Sequence, residues 1–178
     1  SAPEAPRPRL VIVQALVPAK QMESLLQKGS ELGVAEFFPV ESARSLRNAE
    51  ARTERKAERW RKIAREAVKQ SKGAAAPSVH AARRLKDLLT EPAGGQRILL
   101  SEHGGRPLRD ILLEPGRTGR PCPQTVVLFV GPVGGWTEAE EKAFRAAGCE
   151  AASLGPRVLK SETAALAAAA MILHFWNE

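Results

Sequence analysis

The chain alternates short apolar runs with segments of helical periodicity. Leu10 to Leu16 is a continuous apolar, β-branched run between Pro8 and Pro18, the pattern of a buried strand. From Ala19 onward, Met22, Leu25, Leu26, Gly29 and Leu32 fall at helical spacing, and Gly33 stands where a helix C′ glycine belongs. A short strand follows over Ala35 to Val40. Ala57, Trp60, Ile63, Ala64, Ala67 and Val68 recur at i, i+3 and i+4, marking the buried face of a helix from about Glu50 to Ser71. Ala74-Ala-Ala-Pro77 ends it, because Pro77 disfavours helical geometry in its predecessor. A strand near Ser78 to Ala81, a short helix over Arg84 to Leu89 and a strand over Gln96 to Leu100 complete this half.

The second half repeats the alternation. Leu108 to Leu113 forms a helical turn or two, Gly116 to Pro123 a loop, and Thr125 to Val130 an apolar strand. Thr137-Glu-Ala-Glu140 is a capping box that starts a helix running to Ala147, with Gly148 as its stop. Cys149 to Leu154 is a strand, and an Ala-rich helix runs from Ser161 to near Trp176. Strands that are mostly apolar throughout, alternating with helices, predict an α/β domain with a largely parallel sheet covered by helices on both faces. That domain is expected over residues 10–178, preceded by a Pro-rich tail or linker over residues 1–9.

Composition narrows the class. Of 178 residues, 43% are hydrophobic and 26% charged, which excludes a disordered or collagen-like chain. The longest apolar run, Ala164 to Leu173, is shorter than the ~20 residues a membrane helix needs, and no secretory leader pattern opens the sequence. Two cysteines, Cys122 and Cys149, make neither a metal cluster nor a disulfide framework, so a reducing, cytoplasmic setting is expected. His80, His103 and His174 are isolated, show no metal-ligand spacing and read as structural or surface residues.

Charge changes the picture more. The net charge is +7, and eleven basic against four acidic residues between Arg44 and Lys72 account for all of it. Arg44, Arg47, Arg55, Arg59, Lys62, Lys69 and Lys72 form a candidate nucleic-acid contact, since a one-sided cluster of cations neutralises phosphates. The alternative is a solvated helix face balanced by pairs such as Glu58 and Lys62 at i, i+4.

Two loops carry the remaining chemistry. Val130-Gly-Pro-Val-Gly-Gly-Trp136 joins a strand to a capped helix, and Leu154-Gly-Pro-Arg-Val-Leu-Lys160 joins another strand to the last helix. Glycines there let a ligand approach the backbone, and ligands of open α/β sheets bind beyond the carboxyl ends of strands. Each loop could equally be a tight turn. Neither matches a Walker A loop or a G-x-G-x-x-G fingerprint.

These segments, taken in order, resemble the catalytic domain of the SPOUT methyltransferases, specifically the RsmE type that methylates N3 of a uridine in bacterial 16S ribosomal RNA. The matching stretches are Gln27-Lys-Gly-Ser-Glu-Leu-Gly33, Pro39 with Arg44, Arg59-Trp-Arg-Lys-Ile63 through Glu66-Ala67 to Gln70-Ser71, Gly131 to Gly135, and Leu154 to Leu159 with Glu162-Thr-Ala164. The resemblance implies a C-terminal trefoil knot, a homodimer, and S-adenosylmethionine held by backbone groups of three loops. Carried onto this chain, the cofactor residues are Leu100, Val130, Gly131, Gly134, Gly135, Leu154, Gly155, Val158 and Leu159. Arg44 and Lys160, with Arg157 behind them, are the expected catalytic cations, the partner is ribosomal RNA or the small ribosomal subunit, and no metal is needed. The family usually has Glu where this chain has Val133, and Arg where it has Gly73 and Lys160. An N-terminal β-barrel RNA-binding domain of the PUA type, usual in the family, is not found in these residues. Those departures motivate a second reading, a catalytically reduced, knotted RNA- or ribosome-binding protein.

Overall fold

The computed structural model describes residues 8–73, 75–91, 94–114 and 122–175. Its elements in chain order are β1 (Arg9–Ala15), α1 (Ala19–Leu32), β2 (Glu36–Glu41), a 3-10 turn (Ala49–Arg52), α2 (Glu54–Ser71), β3 (Ser78–Val79), β4 (Arg83–Arg84), α3 (Leu85–Leu89), β5 (Gln96–Leu100), β6 (Arg106–Pro107), α4 (Leu108–Leu112), β7 (Thr125–Val130), α5 (Glu138–Ala146), β8 (Glu150–Ser153) and α6 (Ser161–His174).

The strands form one parallel sheet in the order β3-β2-β1-β7-β5-β8-β6, with β4 continuing the β2 edge beyond β3. Successive side chains of a strand point to opposite faces, so β1 and β7 are apolar on both faces, with Gln14 of β1 the buried exception, because both faces are covered. Leu10, Ile12, Ile98, Val126, Leu128 and Val130 pack under α1, α2, α4 and α6. Their neighbours Val11, Val13, Leu99, Val127 and Phe129 pack with Leu85 of α3, Phe144 of α5 and Trp136. The α/β architecture expected from the pattern is the one observed.

Differences are local and have identifiable causes. The helix expected from Glu50 breaks at Thr53: Asn48 accepts from Glu50 N at 3.0 Å to cap the 3-10 turn, and Thr53 Oγ1 accepts from Lys56 N at 3.3 Å to cap α2. Its end is a left-handed Lys72 (φ 57°) whose N–H bonds Val68 O, so α2 stops before the alanines preceding Pro77. β6 was not anticipated; it is a two-residue edge strand with both residues exposed. Gly33 (φ 95°) closes α1 and Gly148 (φ 78°) follows α5, both in the left-handed region that glycine tolerates. Most of the loop expected over 116–123, residues 1–7 of the tail, Ala74 and Trp176 lie outside the described residues.

Candidate active site

β5 lies between β7 and β8 in the sheet, which brings the carboxyl ends of three strands side by side. The loops leaving β7 and β8 rise over those ends and enclose a cavity of about 340 Å³. A cavity of this size suits a small organic ligand. Leu100, Val130, Gly131, Gly135, Leu154, Gly155, Val158, Leu159 and Lys160 all line it, joined by Arg157 at the rim.

Two of the expected site residues stand elsewhere. Arg44 approaches the 131–136 loop from outside the cavity, its Nη1 donating to Gly134 O at 2.9 Å and Trp136 O at 3.3 Å. Gly134 is absent from the cavity wall and is packed by Arg44 instead; a Cβ there would sit 3.3 Å from Arg44 Cδ. The loop turns tightly, with Gly135 N donating to Pro132 O at 2.9 Å and Gly135 at φ 69°.

Three features of the site go beyond the residues expected to form it. Trp136 is buried, forms a wall of the cavity and donates its indole N–H to Leu100 O at 3.2 Å, tying the β7 loop to the end of β5. Its ring meets Phe144 edge-on at 4.8 Å. Beneath the cavity, Ser161 Oγ donates to Gly131 O at 2.5 Å and accepts from Gln14 Nε2 at 2.8 Å. Gln14 is fully buried in central β1, and Nε2 also reaches Ala15 O at 2.9 Å. This polar relay pins the start of α6 to the glycine loop. Glu102 and Glu141 form an acidic side next to His103, and Ser101 Oγ donates to Glu141 Oε1 at 3.1 Å. A signal was present only for Trp136, as the last residue of the glycine motif.

The cavity walls are chiefly apolar, and the polar groups among them are side chains such as Glu102, Glu141 and Lys160 together with backbone groups of the two loops. Among the described residues, the N–H groups of Arg157, Val158 and Leu159 have no partner within the chain. Unpaired N–H groups beside a cavity bind a ligand's acceptors or water. Glycine at 131 and 135 keeps the floor open; a Cβ at Gly131 would meet the Trp136 ring at 3.2 Å. Cys149 packs in the core, where burial pushes its thiol up to about 11, with Arg97 opposing weakly. It is therefore a small core residue rather than a nucleophile.

The cations of α2 do not act as one free set. Arg59 pairs with Glu23 at 2.8 Å, Arg61 with Glu54 and Glu58, and Arg65 with Glu58 at 2.7 Å. Glu58 therefore serves Arg61 and Arg65 rather than Lys62. Arg55, Lys62, Lys69 and Lys72 are exposed and form no ion pair within the described residues.

Comparison with known proteins agrees with this geometry. A family described as an RNA methyltransferase domain matches residues 3–173. The ribosomal RNA small subunit methyltransferase E of Bacillus subtilis is 30% identical over 168 residues, 93% of this chain and 66% of that protein. The chain spans about two-thirds of the length of the curated relatives it matches. Among solved structures, the Neisseria gonorrhoeae ribosomal RNA small subunit methyltransferase E bound to S-adenosyl methionine is 32% identical with a TM-score of 0.82, covering 98% of this chain and 68% of that one. A Legionella pneumophila putative methyltransferase in complex with the same cofactor is 28% identical with a TM-score of 0.81, covering 95% and 66%. A match along nearly the whole chain, on a sheet whose loops gather at one end, places the protein: it belongs to the RNA methyltransferase domain family.

Proposed function

We propose that this protein transfers a methyl group from S-adenosylmethionine to N3 of a uridine in small-subunit, 16S-type ribosomal RNA, and works in the cytoplasm as a homodimer. The observation that carries this reading is the cavity at the ends of β5, β7 and β8, which has apolar walls, two glycine loops and unpaired N–H groups in a chain of this family. Those features fit a nucleoside carrying a short polar tail. The apolar walls suit its base, and the loop N–H groups suit its acceptors.

When bound, S-adenosylmethionine supplies an electrophilic methyl on a sulfonium. The protein's part is positioning and electrostatics. Lys160, exposed at the cavity and without an ion pair, offers positive charge to the uridine anion that forms as N3 loses its proton. Glu102 is the cavity carboxylate without a partner and takes that proton; Glu141 is held by Ser101. Arg44 is a positioning residue in this reading, because it holds the outer side of the glycine loop. A homodimer accords with Val133 and Val158, 73% and 81% exposed beside the cavity, and with Met171 on α6. The trefoil knot is part of the same reading, supported by the return of α6 from β8 across Gly131 to pack on α1 and β1.

Calorimetry with S-adenosylmethionine and labelled methyl transfer to small ribosomal subunits test the proposal. Wild-type protein should give binding heat and a label at uridine N3; Lys160→Ala and Glu102→Gln should keep the heat and lose turnover. Absence of binding at millimolar cofactor would overturn the enzyme reading. Binding without transfer by the wild type would favour the catalytically reduced RNA-binding protein instead.

A further inference from the structure

On the sheet face opposite α2, a groove of about 490 Å³ opens between the loop after β2, the β4–α3 segment and α5. Its basic residues are Arg47, Arg52, Arg84 and Lys86, and its carboxylates are Glu41 and Glu140. Both carboxylates are already engaged. Arg52 reaches both oxygens of Glu41, through Nε at 3.1 Å and through Nη2. Glu140 accepts from Ala43 N at 2.7 Å and Thr137 N at 2.8 Å. Arg47, Arg84 and Lys86 form no ion pair within the described residues. The Arg52–Glu41 pair cancels, and the backbone bonds of Glu140 leave its charge in place, so Arg47, Arg84 and Lys86 outweigh it by two positive charges in a concave setting, where low-dielectric walls focus a positive field.

The groove is also joined to the cavity. Ala43 lines it, and the next residue, Arg44, binds Gly134 and Trp136, whose indole is a wall of the cavity. A chain of phosphates lying in the groove would run beside the loop that encloses the proposed methyl donor. On α2, by contrast, the free cations sit on a convex helix among Glu54, Glu58 and Glu66.

We propose that this groove, through Arg47, Arg84 and Lys86, is the binding site for the single-stranded RNA backbone next to the target nucleotide. The inference rests on the RNA reading above and names the surface that holds the strand.

The test uses the 178-residue chain and a fluorescein-labelled, mixed-sequence single-stranded ribo-oligonucleotide, read by anisotropy across a salt series. Arg84→Gln/Lys86→Gln should weaken binding about tenfold and lower the slope of log affinity against log salt by roughly 1 to 2. Heat of S-adenosylmethionine binding and the thermal melt should match wild type, which separates the effect from misfolding. Arg55→Gln/Lys62→Gln on α2 should change both RNA quantities less. An unchanged affinity and slope in the groove variant, or an equal loss in both variants, would overturn the groove assignment. Weakening towards small ribosomal subunits but not the oligonucleotide would give the groove to an acidic protein surface and overturn it too. If wild-type protein bound no RNA, the functional reading itself would fall, a result distinct from the others.

Discussion

The cavity and the outer face of α2 hold polar groups in opposite ways. At the cavity, Gln14 Nε2 donates to Ser161 Oγ and Ser161 Oγ to the Gly131 carbonyl, so each bond depends on the next, and Gln14 Oε1 is buried with no partner among the described residues. Along α2, Glu58 is shared by Arg61 and Arg65 in open solvent, where water replaces any partner that leaves. A buried donor or acceptor left alone costs its full desolvation, whereas an exposed ion pair contributes little. Few polar groups at one place therefore outweigh many at the other. The charge that dominates the composition lies mostly where stability depends on it least.

Four substitutions test that contrast. The largest effect is expected for Trp136→Ala, which removes a buried indole, its bond to Leu100 and its contact with Phe144. A loss of about 3–5 kcal/mol in urea unfolding is expected, together with loss of cofactor heat. A loss under about 1 kcal/mol would show that the loop stands without the indole. Ser161→Ala comes next, at about 1–3 kcal/mol, because it leaves the Gln14 amide and Gly131 carbonyl each short of a partner. Adding Gln14→Leu should recover part of that loss, and strict additivity of the two would break the relay.

The smallest effect belongs to Glu58→Gln. The hydrogen bond from Arg65 is the main reason the Glu58 carboxyl lies below its ordinary value of 4.5, with Arg61 adding to it. A lowered carboxyl contributes stability above the ordinary range and loses it as pH falls through the lowered value. The urea midpoints of Glu58→Gln and wild type should therefore differ barely at pH 7 and coincide in acid. A large difference at pH 7 would erase the distinction between the two regions.

The layered fold was legible because β1 and β7 are apolar on both faces, Gln14 apart, and α1 and α2 each have a single buried stripe, both of which are local patterns; α6 is apolar all round and shows no stripe. The break at Thr53 was hidden inside a continuous helical periodicity, since a capping threonine does not interrupt the apolar spacing. β6 lacked any pattern, having two exposed residues. Both glycine loops announced themselves at strand ends, yet their partners did not. Which carbonyl Arg44 reaches, and what Gln14 does in the middle of an apolar strand, depend on residues about half the chain away or more. Lys62 pointed to Glu58 by spacing alone; the longer reach of two guanidinium groups decided the pairing otherwise.

The relay beneath the cavity also bears on when the site comes into being. Gln14 and Ser161 are separated by 147 positions, so their bond closes a loop of most of the polypeptide. Such a closure carries a large chain-entropy cost and is met only when much of the sheet already holds its ends near one another. The cavity consequently has no local precursor: a chain that has formed β1 and α1 possesses one end of the fastening and nothing to fasten. Completion of the site coincides with the docking of α6, which makes the last helix the element on which possession of a binding site, as distinct from possession of a sheet, depends.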